Sequence, residues 1–375
     1  MTGDFGKRLV QRESVGNLRK LQLPLQSIDF ASNDYLGLTH SQGFNDLIKW
    51  EQAKVQKIRY GYGSTGSRLL TGNTQYAQDL EDTIAKFHGY EAGALFNCGY
   101  MANLGLLTAV ATKNDTILFD LHIHASIHDG IRLSQAQAYP FRHNDCQHLE
   151  RRLQSHLNKG NCFICIESIY STDGSIAPLQ EICHIACKYG AYLIVDEAHA
   201  TGIWGPQGKG YIAEYDLMKY VFAQTITFGK ALGVHGAIVL GSSTLKQLII
   251  NYARSFIYTT ALPLDSLVAI ACSYQWFPNL HAERLHLKTL IQNIQKLHSQ
   301  ASITQIQSMS VKGNHQVKQI GTRLQMLGFD VRPLTSPTVP KGHECLRICL
   351  HAFNTEDEVE DLFKFFQKMR GSESE

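Results

Sequence analysis

An aspartate and a histidine follow one of the most apolar runs in the chain. Residues 191–195 are apolar, Asp196 ends the run, and His199 follows three residues later. Ligands of open α/β sheets bind at the carboxyl ends of strands, so Asp196 stands where a buried carboxylate could face a ligand. Such a carboxylate stays ionised only beside a cation, for example a protonated pyridinium nitrogen. The alternative is an aspartate that caps the next turn.

A lysine follows a second apolar strand, in the segment TITFGKALG of residues 225–233. Burial of Lys230 would favour the neutral amine, which is the form that attacks an aldehyde. Gly229 would let the backbone and a ligand approach closely, and Thr227 could offer its hydroxyl to a phosphate. The alternative is an ordinary surface lysine after a strand.

A glycine turn and a pair of histidines complete the candidate residues. In LFNCGYMAN a strand turns at Gly99 into a helix, whose free N–H groups would form an anion site. His122 and His124 follow another strand, in DLHIHAS. A metal site is one interpretation of this spacing, but no acidic or histidine partner stands at a supporting distance in the sequence. An aromatic face over a ligand ring fits as well.

The close cysteine pairs are better explained by structure than by metal binding. Cys162 and Cys165 lie in the apolar run CFICI, which predicts a buried strand whose positions i and i+3 point to opposite faces. Cys183 and Cys187 have the spacing of neighbours on one helix face. With nine cysteines and no apolar N-terminal signal, we expect reduced thiols in a cytoplasm.

These residues are positioned by short apolar runs that alternate with helical patterns. Near-continuous apolar runs are typical of strands covered by helices on both faces, so the alternation predicts an α/β fold with a largely parallel sheet. The predicted strands are 93–97, 116–121, 162–167, 191–196, 220–227 and 236–240. The predicted helices between them are 76–87, 103–110, 149–157 and 179–189.

The pattern changes after about residue 262. One long amphipathic helix is predicted over residues 266–299. A small α+β region is predicted after it, with elements at 317–327 (helix), 330–334 and 345–350 (strands) and 355–368 (helix). The predicted division is an N-terminal segment 1–35 that packs on the small domain, a large domain 36–265, and the long helix with a small C-terminal domain 266–375.

Composition excludes several classes of protein. The chain has 375 residues, 44% of them hydrophobic and 18% charged, which is a globular composition too long for one ordinary core. The formal net charge of +2 argues against nucleic-acid binding driven by phosphate neutralisation. No run approaches the length of apolar sequence that spans a bilayer, so no transmembrane helix is expected.

Several motifs occur in an order that resembles the α-oxoamine synthases. These are the fold-type-I pyridoxal-phosphate enzymes that join an amino acid to an acyl thioester with loss of CO2. The matching segments are NDYLGL (33–38), GYGSTGSRLLTG (61–72), DEAH (196–199), TFGKALG (227–233) and PTVP (337–340). The resemblance extends from about Arg19 to the last helix. It implies a mostly parallel seven-stranded sheet, a small C-terminal domain, and a cytoplasmic homodimer with shared active sites.

The resemblance also implies a role for each candidate residue. Lys230 would carry the cofactor as a Schiff base and move the Cα proton of the substrate. Asp196 would pair with the pyridine nitrogen, and His124 would stack on the ring. His199 and Ser171 would contact the phenolic oxygen of the ring.

Further residues would bind the phosphate and the substrates. The residues implied around the phosphate are Gly99, Tyr100 and Thr227, with Thr259 and Thr260 reaching the phosphate of a second copy of the chain. The implied substrate ligands are Arg19, Asn33, His124, Thr338 and Arg347. Of these, Arg347 would bind the amino-acid carboxylate, a task that suits a bidentate guanidinium.

The substrates are less sharply indicated than the cofactor. The segments ASNDYLGL and GSTGSRLLTGN most resemble members that condense L-alanine with a pimeloyl thioester of CoA or acyl carrier protein in biotin synthesis. Glycine-using members, such as 2-amino-3-ketobutyrate ligase and 5-aminolevulinate synthase, are the alternative, because one methyl group is worth only about 1–3 kcal/mol. Thr335 and Ser336 replace a common Arg-Pro, and Cys345 replaces the first arginine of a common pair, which leaves the acyl partner open. A non-catalytic binding protein and a metal hydrolase are more distant alternatives.

Overall fold

A computed structural model describes residues 4–21, 23, 27–55, 63–156 and 160–371. Gly61 and Tyr62 of the glycine-rich motif, and Leu157 at the expected end of a helix, lie outside these residues. The described residues form two compact units. The large unit lies within Leu36–Tyr170 and Ile176–His281, and the small unit lies within Met1–Tyr35, Ser171–Ser175 and Ala282–Glu375.

The strands and helices alternate along most of the chain. The strands are β1 (Ile28–Asp29), β2 (Ala92–Phe96), β3 (Thr116–Asp120), β4 (Gln137–Phe141), β5 (Cys162–Glu167), β6 (Tyr192–Asp196), β7 (Ala223–Thr227), β8 (Ala237–Gly241), β9 (Ile306–Ser310), β10 (Phe329–Asp330), β11 (Arg332–Leu334) and β12 (Cys345–Cys349). The helices are α1 (Asp4–Ser14), α2 (Gln42–Val55), α3 (Gln75–His88), α4 (Gly99–Val110), α5 (Ala125–Ser134), α6 (Cys146–His156), α7 (Leu179–Tyr189), α8 (Tyr211–Glu214), α9 (Ser243–Tyr252), α10 (Arg254–Ile257), α11 (Leu264–Trp276), α12 (His281–Leu297), α13 (Asn314–Met326) and α14 (Glu356–Gly371). No described helix combines the length and the apolar character needed to cross a bilayer.

The large unit is built on a seven-stranded sheet in the order β2-β8-β7-β6-β5-β3-β4. Every neighbouring pair is parallel except the two that involve β8. All residues of β5 and β8 are buried, because helices cover both faces of the sheet. The predicted α/β class and largely parallel sheet are confirmed, and all six predicted strands form.

The helices of the large unit begin and end where local chemistry favours it. Thr74 caps the start of α3 by accepting a hydrogen bond from Ala77 N, and Gly89 ends that helix in the left-handed conformation. Gly190 ends α7 in the same way, so the predicted helix 179–189 is confirmed at both ends. Side chains from the faces of α4 and α5 pack on the sheet in one buried cluster.

One strand of the sheet was missed by the sequence analysis. β4 lies at the edge, pairs only with β3, and has the sequence QAYPF, of which Phe141 alone is buried. An edge strand needs neither a continuous apolar run nor a full set of N–H donors, so it tolerates Pro140 and polar residues. Its sequence therefore lacks the pattern that identified the central strands.

The prediction of one helix over 266–299 is wrong. α11 ends at Trp276, a 3-10 turn spans Phe277–Asn279, and α12 begins at His281. Pro278 lies in this turn, where its ring and missing N–H prevent the helix from continuing. The units differ from the predicted domains at this point, because residues 266–281 group with the large unit.

The small unit contains two short sheets. β11, β12 and β9 form an antiparallel sheet, in which β9 was not predicted. β1 pairs in parallel with β10, which brings residues near the start of the described chain beside the C-terminal region. The predicted strand 330–334 is interrupted and forms β10 and β11 separately.

A buried carboxylate joins three segments of the large unit. Glu81 on α3 is inaccessible to solvent, and it accepts hydrogen bonds from Arg68 at 2.7 and 3.1 Å and from Leu95 N at 2.9 Å. Lys246 Nζ lies 3.0 Å from the same carboxylate. Because both cations are largely buried, the carboxylate neutralises charges that water cannot solvate fully.

Replacement of Glu81 by alanine is expected to lower the free energy of unfolding by roughly 3 kcal/mol, because two cations lose their anion. Urea denaturation at equilibrium measures this change. Asp82→Ala is the matched control, since Asp82 is 74% exposed and lies 4.0 Å from the same Lys246 Nζ. The control should change stability by less than about 1 kcal/mol. Equal losses in the two variants would contradict this account of the cluster.

Candidate active site

Loops that follow four parallel strands of the large unit carry the candidate residues. Asp196 ends β6 and Thr227 ends β7. α4 begins at Gly99 shortly after β2, and His124 precedes α5 after β3. Because these strands are parallel, their carboxyl ends lie at one edge of the sheet, where ligands of such folds bind.

Asp196 is held at this edge by two donors. The residue is 6% exposed, and its Oδ1 accepts a hydrogen bond from Ala198 N at 2.9 Å. Its Oδ2 accepts from Asn103 Nδ2 at 2.7 Å. Asn103 also donates to Ser126 Oγ at 3.0 Å, and that hydroxyl lies 2.8 Å from His124 Nδ1. A continuous polar chain therefore connects the carboxylate with the histidine.

Asn103 is a site residue that no motif in the sequence indicated. Asn103 is 3% exposed on α4, a helix in which most residues are apolar. A buried polar side chain on such a helix needs a hydrogen-bond partner, and that is the signal that could have identified it.

Lys230 and His199 are in direct contact. The distance from Lys230 Nζ to His199 Nε2 is 2.7 Å, and His199 is only 4% exposed. A hydrogen bond between two nitrogen atoms requires one of them to act as the acceptor, so Lys230 and His199 cannot both be positively charged in this contact. The neutral member of this pair can take up a proton, and Lys230 in its neutral form could attack an aldehyde.

The start of α4 offers backbone donors. Cys98 is the N-cap residue, but its side chain makes no hydrogen bond to the helix. The N-cap side chain therefore does not occupy the N–H groups of the first turn. A Cβ added at Gly99 would lie 3.3 Å from Thr227 Cβ, which shows how closely the helix start approaches the end of β7. The Thr227 hydroxyl lies beside this helix end, 3.4 Å from Gly236 O.

Tyr100 and His124 flank the same region. Their rings are 6.4 Å apart and meet edge to face, and the Tyr100 hydroxyl donates a hydrogen bond to Asp129. The pKa of His124 is lowered, mainly by desolvation. The Asp196 carboxylate opposes this shift, and Lys230 adds to it. A neutral imidazole with an exposed face is suited to stacking on a cationic aromatic ring.

Thr259 and Thr260 follow α10 in the large unit. Thr260 is exposed, and its carbonyl oxygen accepts a hydrogen bond from Asn97 Nδ2 at 3.0 Å. Ala261 N donates to Gly66 O at 3.0 Å, so the segment after the threonines is tied to the glycine-rich motif. Tyr258 beside them is 71% exposed.

Four of the five predicted substrate ligands form two clusters within the small unit, and the fifth, His124, lies in the large unit. Arg347 on β12 donates from Nε to Ser171 O at 2.6 Å and from Nη2 to Asn33 Oδ1 at 2.9 Å. The Tyr35 hydroxyl lies 3.4 Å from the same Nη2. Tyr35 belongs to the NDYLGL motif, but it was not predicted as a substrate ligand.

The second cluster of the small unit joins residues far apart in the chain. Arg19 Nη2 donates to Thr338 Oγ1 at 3.1 Å, across 319 positions of sequence. The structure thus brings together two predicted substrate ligands whose proximity no local pattern indicates.

The residues of the large unit fit pyridoxal phosphate. This cofactor carries a phosphate, a pyridine nitrogen and an aldehyde. The N–H groups at the start of α4 suit the phosphate, the Asp196 carboxylate suits a protonated ring nitrogen, and the Lys230 amine suits the aldehyde. The fold and the donor set define a pyridoxal-phosphate enzyme of fold type I.

Comparison with known sequences assigns the family. Residues 26–366 match the family model for aminotransferase class I and II. The chain is 38% identical to an 8-amino-7-oxononanoate synthase of Emericella nidulans, over 95% of this chain and 92% of that protein. It is 36% identical to a putative 8-amino-7-oxononanoate synthase of Bacillus licheniformis, over 97% and 96% of the two chains. The chain belongs to the aminotransferase class I and II family.

Solved structures support the same assignment. A serine palmitoyltransferase from S. paucimobilis, solved with pyridoxal phosphate and myriocin, superposes with a TM-score of 0.87 at 25% identity over 98% of each chain. An 8-amino-7-oxononanoate synthase from Francisella tularensis gives a TM-score of 0.80 at 30% identity, over 93% of this chain and 99% of the other. The predicted resemblance to the α-oxoamine synthases is confirmed, and pyridoxal phosphate is the cofactor.

Replacement of Asn103 by alanine is expected to weaken cofactor binding roughly 10- to 100-fold, because hydrogen bonds to charged groups contribute about 1.5–3 kcal/mol. Equilibrium titration of the apo-protein with pyridoxal phosphate, followed by visible absorption, measures this effect. Thr108→Ala on the same helix is the control, since that hydroxyl bonds only backbone carbonyls of α4. Unchanged affinity in the Asn103 variant would show that the contact with Asp196 does not support the cofactor.

Proposed function

We propose that the chain condenses L-alanine with a pimeloyl thioester to give 8-amino-7-oxononanoate, CO2 and the free thiol carrier, in biotin biosynthesis. The similarity to proteins named 8-amino-7-oxononanoate synthase over nearly the whole chain supports this reaction. The observation that carries the catalytic part is the 2.7 Å contact between Lys230 and His199 at the strand edge that also holds Asp196.

Three residues of the large unit perform the proton chemistry in this proposal. Bound pyridoxal phosphate supplies an electron sink for the negative charge at the substrate Cα. Lys230 Nζ anchors the cofactor, then takes the Cα proton of L-alanine and later returns a proton to that carbon. Asp196 keeps the pyridine nitrogen protonated, and His199 directs its hydrogen bonding to the phenolic oxygen and to Lys230.

Other residues hold the cofactor in place. The N–H groups of Gly99 and Tyr100 and the Thr227 hydroxyl bind around the phosphate. The neutral His124 ring stacks on the pyridine ring, where it contacts both cofactor and substrate. The Ser171 side chain contributes a further hydrogen bond to the phenolic oxygen.

The substrate ligands follow from the family resemblance. Arg347 binds the amino-acid carboxylate, and its contact with Asn33 supports an ordered guanidinium for that purpose. Arg19 and Thr338, which are hydrogen-bonded to each other, bind further substrate groups.

The bond changes of the proposed reaction balance with one proton taken up from water, which protonates the departing thiolate of the carrier. A carbon–carbon bond forms between the alanine Cα and the thioester carbonyl carbon, and the thiol leaves with the carrier. The bond from Cα to the original carboxyl group then breaks, and CO2 departs. The electron pair left at Cα takes a proton from Lys230, which completes the amino ketone.

The assembly and the compartment are also proposals. We infer a homodimer in which Thr259 and Thr260 reach the phosphate bound by the second copy, and the exposed Thr260 and Tyr258 are consistent with such an interface. All nine cysteines are unpaired thiols, which supports a reducing compartment such as the cytoplasm.

The substrate assignment is tested by comparing kcat/KM for paired substrates in the cofactor-loaded enzyme. With pimeloyl-CoA, L-alanine is expected to react at least about 10-fold more efficiently than glycine, because one methyl group contributes about 1–3 kcal/mol in a fitted pocket. Thiol release and the product mass provide the measurement, and pimeloyl acyl carrier protein in a parallel arm identifies the preferred carrier. Equal or faster turnover of glycine with acetyl-CoA would assign the chain to the glycine C-acetyltransferases instead.

A further inference from the structure

The segment that carries His199 forms a closed loop. This His199 loop, residues 197–212, leaves the end of β6 and returns at the start of α8. Within it, Gly202 N donates to Gly208 O and Gly210 N donates to Trp204 O, both at 2.7 Å. These bonds order the middle of the loop but do not join its two ends.

The side chain of Glu197 makes that connection. Its Oε1 accepts hydrogen bonds from Tyr211 N at 2.7 Å and from Ile212 N at 3.0 Å, at the far end of the loop. Its Oε2 accepts from Gln224 Nε2 at 2.9 Å. Gln224 lies on β7, the strand that leads to Lys230. One carboxyl group therefore ties both ends of the loop to the neighbouring strand.

We infer that Glu197 is a positioning residue that closes the His199 loop onto β7 and thereby sets the contact between His199 and Lys230. The inference rests on the proposed roles of these two residues at the cofactor. Glu197 is not itself a catalytic residue, because it follows Asp196 at the strand end and its carboxyl bonds point to α8 and β7.

Burial favours the neutral acid form of Glu197. The side chain is inaccessible to solvent, and the groups that donate to its carboxyl oxygens, Tyr211 N, Ile212 N and the Gln224 amide, are all uncharged. The titratable groups that face it are Asp196, Tyr90 and Tyr211, none of which is a base that would stabilise its charge. Burial raises the pKa of Glu197 to about 8, although the N–H groups of Ile212 and Tyr211 oppose this effect.

The neutral form has one consequence for the site. Asp196 and Glu197 are adjacent, and a second negative charge would compete for the cation that Asp196 needs. A neutral Glu197 leaves Asp196 as the single anion at this strand end. The fit is also tight, because a Cβ at Gly210 would collide with the Glu197 carboxyl group.

The test compares Glu197→Gln and Glu197→Ala in the cofactor-loaded protein and in the apo-protein. The glutamine side chain reproduces the shape and neutrality of the acid, whereas alanine removes the side-chain bonds to Tyr211, Ile212 and Gln224 and keeps the backbone bond from residue 197 N to Thr225 O. Glu214→Gln is the matched charge control, since Glu214 is exposed on α8. The two readouts are hydrogen exchange at the Tyr211 and Ile212 amides, and the pH titration of the visible absorption of the bound cofactor.

At pH 7, Glu197→Ala should lose at least about 10-fold of amide protection at these two positions, which is the effect of one missing hydrogen bond. It should also shift the midpoint of the absorption titration by roughly half a pH unit or more, which is a factor of about three in the proton equilibrium. Glu197→Gln and the Glu214 control should retain wild-type values at pH 7.

The pH dependence of stability provides a second measure that does not require the alanine variant to fold. The folded-state pKa of Glu197 lies above the unfolded value, so the wild-type protein loses stability as pH rises toward about 8. Glu197→Gln lacks this loss, so the difference between its melting temperature and that of the wild type should grow in favour of the variant from pH 4.5 to about pH 8 and then level off.

Two results would overturn the inference. One is an alanine variant with wild-type amide protection and a wild-type absorption titration. The other, where that variant does not fold, is a melting-temperature difference between Glu197→Gln and the wild type that stays constant with pH. Failure of the wild-type protein to develop a visible band would instead count against the proposed role of Lys230, because the amide exchange of the apo-protein tests the loop independently.

Discussion

A negative charge at Asp196 is the constraint on which the rest of the large unit depends. The residue is 6% exposed, and two neutral donors cannot by themselves replace the water that an ionised carboxylate loses. A cationic ring nitrogen at the sheet edge supplies the missing partner. The same requirement accounts for the buried Asn103 on an apolar helix. The amine of Lys230 at the end of the next strand then meets the reactive end of the same ligand.

The features that the sequence predicted are those that local patterns determine. Strands covered on both faces must be continuously apolar, so β5 and the strand ending in Asp196 could be recognised from their composition alone. Helix α7 could be bounded to the residue because its apolar spacing ends at Gly190. Residues that follow such strands meet at one edge in a parallel sheet, and this placed Asp196 and Lys230 together before any contact was known.

The features that were missed depend on contacts between distant positions or on weaker patterns. Asn103 reaches Asp196 across 93 residues, and the Glu197 carboxyl bonds β7 across 27. No spacing rule indicates either contact. β4 was not predicted because an edge strand may be polar. The helix break at Pro278 was visible in the sequence, but the apolar periodicity on both sides of it favoured one continuous helix. Cys345 and Ser336 replace residues that are common in the family, and both replacements concern substrate binding. The family motifs specify the substrates less sharply than they specify the cofactor.

Covalent mapping of the cofactor tests the central claim most directly. The loaded protein is reduced with borohydride, digested, and analysed by mass spectrometry for a peptide that carries the phosphopyridoxyl group. We expect one modified site, Lys230, at close to one group per chain, and loss of that modification in Lys230→Ala. Stoichiometric labelling of a different lysine, or no labelling of a protein that has bound the cofactor, would contradict it.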